Sequence, residues 1–191
     1  IGSHSHNSAT TATNNTANGY ASMDAVTTGG SNVAVGTSTL DANTTGAANT
    51  ALGWYSLSAL TTADSNTAVG YGSAQALTTG TGNVAIGVNA LDALTTASNN
   101  VAIGNNALGA NTSGYQNIAI GSTALDANTT GFNGVAIGHN AAGANTTGTQ
   151  NIAIGINALA ANTTGVNLVA IGPHALDANT TAGYNTAVGN D

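Results

Sequence analysis

ANTTGTQNIAIG, residues 144–155, stands between two near copies of itself, ANTTGFNGVAIG at 127–138 and ANTTGVNLVAIG at 161–172. The interval is 17 residues, and carried outward it sets Asn or a substitute at positions 15, 32, 49, 66, 83, 100, 117, 134, 151, 168 and 185 without a slip. A fixed period of this kind marks a repeat architecture, in which one unit cannot bury its apolar face alone and stacks on its neighbours. Function is therefore to be sought on a surface repeated along a rod.

Numbered from the opening Asn, the unit reads N-V-A-I-G-x-x-A-L-D-A-N-T-T-G-x-x. Positions 2 and 4 are mostly β-branched, as in Val84 and Ile86, Ile118 and Ile120, or Ile152 and Ile154. This period of two predicts a strand with its aliphatic face buried. Position 3 is Ala from Ala17 to Ala187 and position 5 is Gly from Gly19 to Gly189, so a bend is expected after the strand. Positions 8 to 11, with Leu40, Leu91, Leu108, Leu125, Leu159 and Leu176 at position 9, predict a short second strand, and N-T-T-G supplies a turn. Gly, Thr and Asn recur too densely for helix. The expected fold is all-β, a parallel β-solenoid or β-roll of about eleven coils over residues 1–191 as one repeat domain. At the spacing of paired strands such a rod is about 50 Å long.

The chain of 191 residues holds no Lys or Arg, seven acids that are all Asp, no Cys and one Pro, with 4% charged residues. Nothing is present to neutralise phosphates, which argues against nucleic acid and against an anionic membrane surface as partners. No apolar run reaches the ~18 residues of a membrane span, and no charged-then-apolar signal segment opens the chain. Ile1-Gly2 aligns with Ile120-Gly121, and NTAVGND stops soon after the same point of the last unit. Because a solenoid ordinarily needs polar caps, the expectation is a segment of a longer chain or a subunit stacking through its ends.

Each unit offers only about three large aliphatic side chains, so burial against partner chains is expected to supplement the core. The row Ala34, Ala51, Ala68, Ala85, Ala102, Ala119, Ala136, Ala153 and Ala170 is the candidate interchain surface, since small side chains allow close approach.

The stretches NVAIGVNA (83–90), NIAIGSTA (117–124) and NIAIGINA (151–158) resemble the head repeat of YadA-like trimeric autotransporter adhesins. With A-N-T-T-G added, the unit is similar to repeats of trimeric phage-type tail fibres and related bacterial surface fibres. The resemblance spans residues 15 to 189 and implies a left-handed parallel β-roll, three chains about one axis, and a stiff stalk or adhesive head outside the cell or on a virion. The coil here is longer than in the adhesin pattern.

Residue types that carry chemistry are scattered. Asp24, Asp41, Asp92, Asp126 and Asp177 share position 10, but Ser58, Gln75, Gly109, Gly143 and Ala160 interrupt the series, which reads as solvated turn charge rather than a calcium ladder. Asp64 and Asp191 read as isolated surface charges. His4 and His6 lack a third ligand type nearby, and His139 and His174 lie in different units. No metal, cofactor or catalytic residue is assigned, and the chain is expected to be non-enzymatic.

Thr fills position 13 throughout, including Thr44, Thr61, Thr78, Thr95, Thr112, Thr129, Thr146, Thr163 and Thr180. Its hydroxyls can bond turn backbone across coils, or form a regular array that orders water, as an ice-binding solenoid needs. Asn43, Asn111, Asn128, Asn145, Asn162 and Asn179 open N-T-T or N-T-S acceptors for N-glycosylation. Tyr20, Trp54 and Tyr71 at position 6 and Tyr55 at position 7 are the candidate ligand contacts, with Tyr115, Phe132 and Tyr184 at positions 16 or 17. Aromatic side chains give large contact area at low entropic cost. The reading is a structural or adhesive segment of an extracellular fibre, its partners being further copies of itself and a host surface or glycan. Ice binding and a self-stacking filament are the alternatives.

Overall fold

The computed structural model describes residues 3–6 and 8–190; Ile1, Gly2 and Asp191 lie outside them. Eleven strands of three residues, β1 (Thr16–Asn18) to β11 (Thr186–Val188), form one parallel sheet in sequence order. Each strand pairs with the next in register, so that Ile118, Ala119 and Ile120 of β7 (Ile118–Ile120) face Val135, Ala136 and Ile137 of β8 (Val135–Ile137). The expected all-β solenoid of 17-residue coils is therefore what the chain forms. Its rungs are bonded on both sides: the N–H of Val84 donates to the Asn100 carbonyl at 2.8 Å, and the N–H of Gly87 to the Val69 carbonyl at 2.8 Å.

Two expectations are corrected. Positions 8 to 11 form turns, not a second strand: Leu91, Leu108, Leu125 and Leu159 at position 9 have φ between 50 and 55°. Position 7 is left-handed as well, at Asn89, Asn106, Asn140 and Asn157, and so is position 17, at Asn99, Asn133 and Asn167. Asn tolerates this region better than other non-glycine residues. The N–H and C=O groups of these turns still bond between coils, with Leu108 N–H donating to the Ala124 carbonyl at 3.0 Å and Ala110 N–H to the Asp126 carbonyl at 2.9 Å. The wall thus continues without extended strand geometry.

The second correction concerns the faces of the strand. Ala34, Ala51, Ala68, Ala85, Ala102, Ala119, Ala136, Ala153 and Ala170 are fully buried and belong to one cluster with the Leu side chains of position 9. They line the coil's own interior and are not an interchain surface. A 17-residue coil is too narrow to hold two β-branched side chains from one wall opposite Leu from another. Ala is what fits inside, and Val and Ile at positions 2 and 4 are turned outward. The core is completed by Ala90, Ala107, Ala124, Ala141, Ala158 and Ala175 at position 8.

Inside the coil run two amide ladders. At position 1, Asn49 Oδ1 accepts from the Asn66 N–H at 2.9 Å and from Asn66 Nδ2 at 3.3 Å, while Asn49 Nδ2 donates to the Ala63 carbonyl at 2.8 Å. At position 12, Asn128 Nδ2 donates to Asn111 Oδ1 at 3.1 Å and to the Gly131 carbonyl at 3.1 Å. A Cβ on Gly131 would collide with Asn128 Oδ1 and the Gly148 carbonyl, which is why the N-T-T-G turn ends in Gly there. Leu60, Leu77 and Leu94 replace the second ladder in three successive coils and are fully buried.

Candidate functional site

The outer face of the sheet is two columns of side chains from positions 2 and 4. Val35, Ile86, Ile118, Ile120, Ile137 and Ile171 are each exposed by about the same fraction, 36–38%. The pitch of the coils and the width of three residues make this a face roughly 50 Å by 10 Å. A strip of this size is near the upper range of apolar patches found on monomers. At the end of the sheet, Thr186 and Val188 continue the columns and are exposed.

The Thr of position 13 has a structural occupation. The Thr146 carbonyl receives the Thr129 N–H at 2.8 Å, the Thr130 N–H at 3.3 Å and the Thr129 hydroxyl at 3.0 Å. The same hydroxyl-to-carbonyl bond links Thr44 to Thr61, Thr61 to Thr78, Thr78 to Thr95, Thr95 to Thr112, Thr112 to Thr129, Thr146 to Thr163 and Thr163 to Thr180. The following row is the more exposed, with Thr62, Thr79, Thr96, Thr130, Thr147 and Thr164 all open to solvent, whereas at position 13 Thr95, Thr112 and Thr180 are exposed and Thr44, Thr61, Thr78, Thr129, Thr146 and Thr163 are half-buried. The sequence pair T-T held this distinction only implicitly, because both rows are equally regular.

Asn43, Asn111, Asn128, Asn145 and Asn162, the glycosylation candidates, are buried members of the second amide ladder. Asn179 is half-buried in the same ladder, its Nδ2 donating to Asn162 Oδ1 at 3.1 Å. In the folded coil these amide nitrogens are already donors to neighbouring carbonyl oxygens, and all but that of Asn179 are shut away from solvent.

Of the aromatic candidates, the structure brings three together. Trp54 stacks on Tyr55 with centroids 5.2 Å apart and planes at 21°, and meets Tyr71 of the next coil at 5.7 Å and 88°. Tyr20 stands apart, separated by the coil of Thr37, and contacts the His4 ring edge-on at 5.9 Å. A second pair, Tyr115 and Phe132, stacks at 4.9 Å and 3° at position 16.

The titratable groups stay dispersed. His174 Nδ1 lies 3.2 Å from Asp177 Oδ2 within one exposed turn, His139 is exposed, and His6 Nε2 lies 3.4 Å from Asn15 Nδ2. Among the described residues no group of three or more His or Asp side chains is close enough to hold a metal. Burial raises the Asp41 carboxyl above its ordinary value, with a smaller contribution from the like charge of Asp24. Burial does the same at Asp92, again with a smaller like-charge contribution from Asp126, and at Asp126 itself.

Compared with protein-family models, with curated proteins and with solved structures, the chain matches none.

Proposed function

We propose that this chain is a non-catalytic structural rod of an extracellular fibre, whose outward Val/Ile columns pack against further copies of itself, three chains sharing one axis. The observation that carries the reading is the pair of uncharged columns along β2 (Val33–Val35) to β10 (Val169–Ile171), aliphatic in every coil except for Thr50 and Thr67 at position 2. A solenoid that only needed solubility would place polar residues at these positions, because nothing inside the coil depends on them. Flat strips of β-branched side chains on identical in-register coils are self-complementary in shape, and their burial supplies what a thin Ala-lined core lacks. The resemblance to trimeric adhesin heads and tail fibres favours three chains. The contact surface in this reading is the aliphatic face and not the Ala row.

Light scattering on a size-exclusion column tests it. A mass near three times 18.2 kDa is expected, falling to one chain's mass when Ile137→Asp and Ile154→Asp are combined, with the β circular dichroism unchanged. A wild-type monomer overturns the reading.

A second reading, ice binding, is favoured by one observation: the exposed Thr row at position 14 recurs at the coil spacing on a rigid, nearly charge-free surface. Thermal hysteresis that vanishes when Thr79, Thr96 and Thr130 are replaced by Lys would support it over the fibre.

A further inference from the structure

The aromatic corner at Trp54 and Tyr71 departs locally from an otherwise uniform rod. Both rings keep half their surface in solvent, 51% and 49%, so the fold gains little from them. They are also held in place. Tyr55 stacks against Trp54, and Tyr71 stands perpendicular to it, so the two exposed rings form an L whose geometry is set before any ligand arrives. Aromatic platforms fixed in this way bind with little loss of side-chain freedom.

The polar surroundings change in the same two coils. Position 10 carries Asp41 in the coil before and Asp92 in the coil after, but Ser58 and Gln75 in the coils of Trp54 and Tyr71. Position 7 beside Tyr71 is Gly72, and a Cβ built there would lie 2.8 Å from Asn89 Oδ1 and 3.5 Å from Gln75 Oε1. The amides of Asn89, from the next coil, and Gln75 therefore both lie close to the base of the corner. The set is two perpendicular rings with the amides of Gln75 and Asn89, and Ser58 at position 10 of the Trp54 coil. It lacks the carboxylate that a cationic ligand would want, and the whole chain lacks the Lys or Arg that an anionic one would need.

We propose that Trp54, Tyr71, Ser58 and Gln75 form a binding site for a neutral carbohydrate. The apolar C–H face of a pyranose lies on one ring, the second ring bounds its edge, and ring hydroxyls bond to the amide and hydroxyl. Rim hydroxyls that find Gln75 and Ser58 fix orientation, while the rings supply contact area. The inference does not depend on the number of chains in the fibre.

Trp54 is the one tryptophan in the chain, so its emission reports this corner alone. The probes are cellohexaose, mannohexaose and the hexamer of N-acetylglucosamine, titrated into the full chain. A saturable emission change is expected with at least one of them, insensitive to added salt, and weakened about tenfold in Tyr71→Ala. Gln75→Ala should weaken it less. Isothermal titration with Trp54→Leu gives the second readout, with loss of heat expected while the melting curve is retained. Three results overturn the proposal: no change with any of the three probes, a change with tetramethylammonium or a sialylated hexasaccharide in their place, or an emission shift driven by protein concentration alone, which would mean that a second copy covers the corner.

Discussion

Ala119 and Ile120 are neighbours in β7 and lie on opposite sides of the coil wall: Ala119 is fully buried and Ile120 is 36% exposed. The inner side admits a methyl group and nothing larger, since Leu108 and Leu125 already fill the interior of adjacent coils.

Exchanging size across that wall gives opposite outcomes. Ala119→Val adds volume to a closed interior and is expected to lower the stability of the chain by about 1–3 kcal/mol. Ile120→Thr on the outer side should change it by about 0.5 kcal/mol or less in the separated chain. Urea unfolding at concentrations too low for association measures both, and equal effects would contradict the face assignment.

The position-1 ladder should behave as a coupled unit. Asn83 Oδ1 accepts from the Asn100 N–H at 3.0 Å and Asn100 Nδ2 at 3.3 Å, and Asn83 Nδ2 donates to Asn66 Oδ1 at 3.2 Å and the Ala97 carbonyl at 2.9 Å. Asn83→Ala leaves buried partners on both sides and is expected to cost about 2 kcal/mol or more. Asn83→Ala with Asn100→Ala should cost less than the sum of the single changes, because the second removes groups that the first has orphaned. Strict additivity in the double-mutant cycle would show that the rungs act independently.

Acid should stabilise this rod before it harms it. Asp41, Asp92 and Asp126 have carboxyls raised above 3.8, chiefly by burial. Their charged forms are disfavoured in the folded coil relative to the unfolded chain. That penalty is present above the folded values and is relieved as pH falls through them towards 3.8. Lowering the pH from 7 also reduces a net charge of −7 that no Lys or Arg offsets. Melting temperature is expected to rise as pH is lowered over this window, and to rise less in the triple Asp-to-Asn variant. A melting temperature that falls throughout would contradict it.

The buried amides predict silence at the N-T-T sequons. Expressed through a glycosylating secretory pathway and isolated folded, the chain should carry no glycan at Asn128 or Asn145, whose side chains are buried in the ladder. Intact-mass measurement checks this, and full occupancy at either site would mean that the second ladder is not formed as described.

Period, strand and turn were legible because each rests on a local rule. Alternating β-branched residues mark a strand, Gly after it a bend, and N-T-T-G a turn that closes on its own Asn side chain, as Asn43 Oδ1 does with the Gly46 N–H at 2.9 Å. The left-handed turns at positions 7 and 17 also had a signal, the recurrence of Asn and Gly there. The Leu of position 9 concealed it, since a buried Leu between Ala residues looks like strand while its backbone is left-handed. The aromatic candidates were visible as residues but not as a group; only the stacking of coils brings Trp54, Tyr55 and Tyr71 together and leaves Tyr20 alone.

By itself the sequence determined the coil length, the in-register parallel stacking and the absence of basic charge, because units repeating every 17 residues without a slip stack each strand on its equivalent in the next coil. Which face of that strand is inside was decided by the tertiary structure. Hydrophobicity favours burying Val and Ile, but with the Leu of position 9 already inside the coil its strand wall has room only for Ala119 and its equivalents, so packing volume prevailed over hydropathy and left the aliphatic columns on the surface.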